Sequence, residues 1–133
     1  MATAEQRNHA RNYLKKAEEY AASAAANLAA GRFTPAAADS IHAGICAKDA
    51  IVTVLTGSTR KGTDHATAAK ELRRALGARS AAATAERALR ELLAAKGDVE
   101  YGTNLITGAK AEPLVRRADS LVELATEIVR LGG

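Results

Sequence analysis

Cysteine, proline and aromatic side chains are nearly missing from this chain. Its one cysteine, Cys46, excludes an internal disulfide and cannot by itself build a cysteine-based zinc site. Tryptophan is absent, and aromatics make up 3% of the residues: Phe33, Tyr13, Tyr20 and Tyr101. Sheets are built from aromatic and β-branched side chains. Their scarcity excludes an all-β fold and disfavours a Rossmann-type sheet. Ile51-Val52-Thr53-Val54 is the one strand-like run, too isolated to make a sheet. No stretch of ~18 apolar residues escapes charge, which excludes a membrane span. The opening segment, Met1 to Arg11, is polar and lacks an apolar signal core, so a cytoplasmic, reduced setting is expected.

What is present is alanine. It fills 33 of the 133 positions, and it is the best helix former. The length suits one domain with one core. The net charge of +4 is compatible with a polyanionic partner without demanding one. No domain linker or internal repeat is visible. The composition predicts an all-α fold, an up-and-down bundle of four to five helices over residues 1–133.

Local signals place those helices. Thr3 and Gln6 read as a capping box opening a helix that runs to about Ala30, with Gly31 as a left-handed stop. Thr34-Pro35 reads as the cap and first position of a second helix running to about Thr56. Its later half, Ile41 to Leu55, is apolar on most sides, as in the buried centre of a bundle, and Ser40 to Leu55 is expected to be the most buried helix. Gly57 to Thr63 is a basic turn. A third helix starts at Thr63 or Asp64 and ends near Gly77. Ser80 caps a fourth, to about Lys96, with Glu86–Arg90 and Arg87–Glu91 pairs on its outer face. Gly97 to Gly108 reads as the longest irregular stretch. The last helix begins near Lys110, with Pro113 tolerated in its first turn.

One constellation carries potential chemistry: Arg60-Lys61-Gly62-Thr63-Asp64-His65. Two cations sit before a helix N-terminus, whose free amides and dipole favour an anion. Arg60 can clamp a phosphate bidentately, and His65 can move a proton near neutral pH. Arg60 and His65 are therefore the candidate catalytic pair, with Lys61, Asp64 and Tyr101 as candidate nucleic-acid contacts. The alternative is a solvated turn whose Asp64 merely caps a helix. Tyr101 could stack on a base, but pinning the long loop to the bundle is the default for such a residue. His42 reads as a core histidine, and Lys48-Asp49 as a helix-edge pair facing solvent or a partner. Arg73-Arg74 and Arg116-Arg117 read as solvated faces. The histidines His9, His42 and His65 show no ligand spacing, so neither metal nor cofactor is expected.

The whole chain resembles the HEPN superfamily, the higher-eukaryote and prokaryote nucleotide-binding helical domains. Five stretches carry the likeness: Tyr13 to Phe33, Ser40 to Ala50, Arg60 to His65, Leu92 to Gly102, and Ala111 to Leu131. It looks most like the small stand-alone members from alanine-rich, high-GC bacteria. The resemblance implies a homodimeric helical bundle acting on RNA or nucleotides. Many such proteins are metal-independent endoribonucleases of toxin or defence type with an R-x4–6-H motif. Arg60 and His65 stand here as R-x4-H. Two departures are visible: Lys61 follows the arginine where a polar residue such as asparagine is common, and Gly62 interrupts the helix. Other members are non-catalytic partners in toxin–antitoxin or nucleotidyltransferase systems. Both readings are carried forward: an RNA- or nucleotide-binding protein with or without cleavage, and a helical regulator of a protein partner.

Overall fold

A computed structural model describes residues 2–60 and 64–132. Among the described residues the structure is helical throughout, without a strand. The helices are α1 (Ala4–Ala29), α2 (Phe33–Thr56), α3 (His65–Leu76), α4 (Ala82–Ala94), a short α5 (Lys96–Tyr101) and α6 (Gly108–Arg130). The all-α bundle is therefore shown. None of the described helices is long and apolar enough to cross a membrane.

α2 sits at the centre and touches each of the other five helices. Ser40, Ile41, Ala43, Gly44 and every residue from Ala47 to Val54 are buried. Its neighbours follow from residue contacts. Gln6 of α1 lies against Gly57 just beyond α2, so α1 runs antiparallel to it. Phe33 packs on Gly108, and Gly44 faces Leu121, so α6 runs alongside α2 in the same direction. α4 returns between them, with Leu92 over Gly44.

The α1 surface toward this core is minimal. Its buried residues are Ala10, Ala17 and Ala24, seven apart. Seven residues are nearly two full turns, so the three alanines form one narrow seam that lets a neighbouring backbone come close. With alanine filling so much of the interior, a few large side chains supply the bulk of apolar burial. Ile41, Ile51, Leu72, Leu89, Leu92 and Leu121 are each fully buried.

Several boundaries match the cap signals. Thr3 and Gln6 form the reciprocal capping box, at 3.1 and 2.7 Å. Gly31 and Gly57 adopt positive φ where helices stop, at 76° and 99°. Four local expectations are corrected. α2 begins at Phe33 after an uncapped Arg32, because the Thr34 hydroxyl accepts from the Ile106 amide at 3.4 Å instead of capping. α4 begins at Ala82, led in by an Ala82-to-Arg79 turn bond and not by Ser80. The stretch after Gly97 is partly helical, since α5 buries Val99. Finally, α6 starts at Gly108 behind a Thr107 cap, which leaves Pro113 inside the helix and past its first turn.

The pairing across α4 also differs from the local reading. Glu86 does pair with Arg90, at 3.1 Å, but it also takes Arg73 of α3, at 2.8 Å. The Arg73 hydrogen bond, with the charges of both arginines, holds the Glu86 carboxyl below its ordinary range. Glu91 is joined to Arg117 of α6. These ion pairs tie α3 and α6 to α4, so Arg73 and Arg117, although exposed to solvent, are also ties between helices.

Candidate functional site

The segment from Ser58 to Arg60 is held from below by a buried polar cluster. Lys48 and Asp49, on α2, are only 3% and 2% exposed. This overturns the helix-edge reading of the pair: the chain beyond α2 folds back over it. The Lys48 ammonium donates to the Thr59 hydroxyl at 2.8 Å and to the Arg60 carbonyl at 3.3 Å. Thr59 in turn donates to Asp49 Oδ1 at 2.8 Å. Lys48 also contacts Asp49 at 3.4 Å and is ion-paired with Glu71 of α3. The second Glu71 oxygen accepts from the Arg60 amide at 3.3 Å. Buried charge is tolerable only when compensated, and here each charged group has an opposite charge or a hydrogen bond: Glu71 Oε1 is ion-paired with Lys48 without forming a hydrogen bond, and its other oxygen accepts from the Arg60 amide. The result is a clamp joining α2, the 58–60 segment and α3.

Above the clamp lies a cleft of about 430 Å³. Thr67, Lys70, Glu71 and Arg74 line one wall, spaced along a single face of α3. Val52 and Thr56 of α2 form the other, and Arg60 closes one side. Among the described residues, none of Arg60, Lys70 and Arg74 has an ion-pair partner, whereas Glu71 is already taken by Lys48. The cleft is thus cationic, with small apolar residues between the charges and no aromatic ring.

The other candidate residues go elsewhere. His65 opens α3 and is exposed. It precedes Ala69, Leu72 and Leu76 at i+4, i+7 and i+11, so it shares the core azimuth of the helix. Lys70 and Arg74 lie roughly 140–180° round from it. Within one copy of the chain, Arg60 and His65 therefore do not line the same cavity. Lys61 lies outside the described residues.

Asp64 caps α3, accepting from the Thr67 amide at 2.7 Å. That amide, with the Thr67 hydroxyl and the nearby His65 and Lys70, holds its carboxyl below the ordinary range. A lowered carboxyl stabilises the fold above its unfolded value near 3.9 and loses that contribution as pH falls through the folded value. Asp64→Ala is therefore expected to lower the thermal midpoint at neutral pH. Melting curves of the two proteins should converge below about pH 3. A gap that persists there would mean the carboxylate is not what caps the helix.

No family model matches this chain, and neither does any curated protein or solved structure. Function must therefore be argued from the geometry. Among the described residues, no group of three or more His, Cys, Asp or Glu side chains is placed to hold a metal ion.

The α5 end of the bundle forms a separate surface. Tyr101 is 78% exposed and does not pin the loop to the bundle. Its neighbour Glu100 lies 3.5 Å from His42 Nε2, and the His42 ring stacks on Tyr20 at 5.1 Å. His42 is therefore half-exposed, not a core histidine, because α5 covers only part of its side of α2. His42 and Thr56 are fourteen residues apart on α2, roughly 21 Å along its axis, so Tyr101 stands well away from the cleft.

Two cleft residues were invisible to sequence spacing. Arg74 was masked by its pairing in sequence with Arg73, and Lys70 stood alone. The usable signal was Thr67-Lys70-Arg74 on one helical face. Like charges at i and i+4 repel, and such a pair is favoured only when an anion or another structure compensates it.

Proposed function

We propose that this chain is a HEPN-like RNA- or nucleotide-binding protein that grips phosphate in the α2–α3 cleft. The observation supporting this reading is the convergence of Arg60, Lys70 and Arg74 on one cavity, without an ion-pair partner among the described residues. A guanidinium offers a planar fork to phosphate oxygens, and an ammonium adds a point charge. Val52 and Ala75 leave room between them but give a base nothing to stack on. Recognition is therefore of the backbone or phosphate group, with little sequence preference.

Binding without cleavage is the favoured form. A general base must come within hydrogen-bond reach of the attacking hydroxyl, and His65 is on the wrong side of α3 for this cleft. The endoribonuclease form requires a homodimer in which a second copy brings its His65 to Arg60.

The test is fluorescence anisotropy with a short labelled single-stranded RNA at low salt, alongside a labelled nucleotide. Arg74→Glu and Lys70→Glu should each weaken binding about tenfold or more, and flatten its salt dependence by roughly one phosphate contact. Unchanged affinity in both variants would remove the cleft from consideration. Incubation of the RNA with EDTA separates the two forms. Intact RNA supports binding alone, while cleavage that His65→Ala abolishes establishes the enzyme.

The runner-up is a helical regulator of a protein partner. It is favoured by different exposed apolar side chains, Tyr101 and Leu105, 78% and 89% exposed, in and just after α5. RNA binding that survives Tyr101→Ala and Leu105→Ser would keep the two surfaces separate.

A further inference from the structure

Glu71 presents a problem for an anion site. Its side chain lines the cleft between Lys70 and Arg74, where a carboxylate would repel phosphate. Yet one oxygen is turned inward onto the buried Lys48, and the other takes the Arg60 amide. Lys48 makes no contact with the cleft itself. It is buried, its ammonium is surrounded by Asp49, Thr59, the Arg60 carbonyl and Glu71, and it lies behind the wall.

We infer that Lys48 is a positioning residue that masks the charge of Glu71 while the same contacts hold Arg60 at the cleft. This inference rests on the phosphate-binding reading above. The logic is one of summed fields. A ligand in the cleft feels Glu71 as repulsive and Lys48, a few ångströms further back, as attractive. The Lys48–Glu71 pair is close to neutral, so Glu71 subtracts little from the field of Arg60, Lys70 and Arg74, and Asp49, which does not line the cleft, acts from behind Lys48 in every variant alike. Removing either member leaves the other exposed to the ligand. The two removals then act in opposite directions.

That opposition is what a merely structural role cannot produce. Lys48→Met should weaken binding of the short labelled RNA by about tenfold, since an unmasked carboxylate within several ångströms acts through a medium far less polar than water. Glu71→Gln should tighten it several-fold. The double variant should return to near the wild-type affinity. If the clamp only kept the protein folded, all three variants would weaken binding together, and the inference would be overturned.

Circular dichroism at the assay temperature establishes which variants are folded. Should Lys48→Met fail to fold, Lys48→Gln replaces it, since its amide can still hydrogen-bond to Thr59 and Glu71 but carries no charge. Weaker binding by folded Lys48→Gln supports masking, and unchanged or tighter binding refutes it. The underlying reading fails separately. If wild-type protein does not bind the RNA, the cleft reading falls and this inference falls with it. If wild type binds, Arg74→Glu abolishes binding and Glu71→Gln does not tighten it, the cleft stands and only masking is lost.

Discussion

Lys48→Met is expected to cost about 3–5 kcal/mol of folding free energy, the usual penalty for breaking a buried ion pair from one side. The substitution keeps an unbranched side chain only one atom shorter and removes its charge. Asp49 and Glu71 would then sit in the interior as two like charges without the ammonium between them, with Thr59 and the Arg60 amide among the groups still bonded to them. A domain of this size has about 5–15 kcal/mol in total, so the loss is a large part of its stability. Urea denaturation should show the midpoint falling with little change in slope. Glu71→Gln in the same background should recover part of the loss, because one of the two stranded charges is gone. Full recovery is not expected while Asp49 remains. A loss below about 1 kcal/mol would mean that the pair behaves as a surface salt bridge, and the clamp would have to be abandoned.

The second large effect is at Leu92. In this alanine-rich core the few leucines and isoleucines carry the packing, and Leu92 rests on Gly44 beside Leu121. Leu92→Ala should cost about 3–5 kcal/mol, at the upper end for such changes. The neighbouring small residues have no long side chains to swing into the void. Gly44 supplies an internal check. A methyl group on Gly44 would stand 2.6 Å from Leu92 Cδ1. Leu92 is fully buried, so its Cδ1 must move within a closed interior to make room, and Gly44→Ala should be destabilising in the wild type despite a helix-propensity gain of about 1 kcal/mol. In the Leu92→Ala background the same methyl enters vacated space, and Gly44→Ala should become stabilising. A double-mutant cycle measured by thermal or urea unfolding reads this change of sign. Equal effects in both backgrounds would show that the two residues do not share a contact.

These two sites also mark where sequence reading succeeded and where it stopped. The all-helical class, the capping box at Thr3 and Gln6, the Asp64 cap and the burial of Ser40 to Leu55 were legible, because each is decided by neighbours within a turn or two. The start of α2 was not, since Thr34 is engaged by Ile106 from seventy-two residues away. The helical character of α5 depended on burying Val99, which a local pattern of six residues cannot reveal. Lys48-Asp49 looked like a surface pair because nothing in its own helix indicates that Thr59 and Glu71 will cover it. The Arg60–Lys61–His65 motif drew attention to the end of the molecule where the α2–α3 cleft lies. Its cationic half, Arg60, reached the cleft, and the partners it found there were Lys70 and Arg74. Helical phase separated Arg60 from His65, and phase depends on where α3 starts.

The parallel arrangement of α2 and α6 has a consequence for biosynthesis. α1 and α2 are adjacent in the chain and can pair as soon as both have been made. The opposite side of α2 is completed only by α6, which ends 74 residues after Thr56. At translation rates of about 5–20 residues per second, that flank waits roughly 4–15 s for its cover. Throughout that interval that flank of the most apolar helix of the chain faces solvent or a chaperone, and a pause in the codons for α3 to α5 would lengthen it.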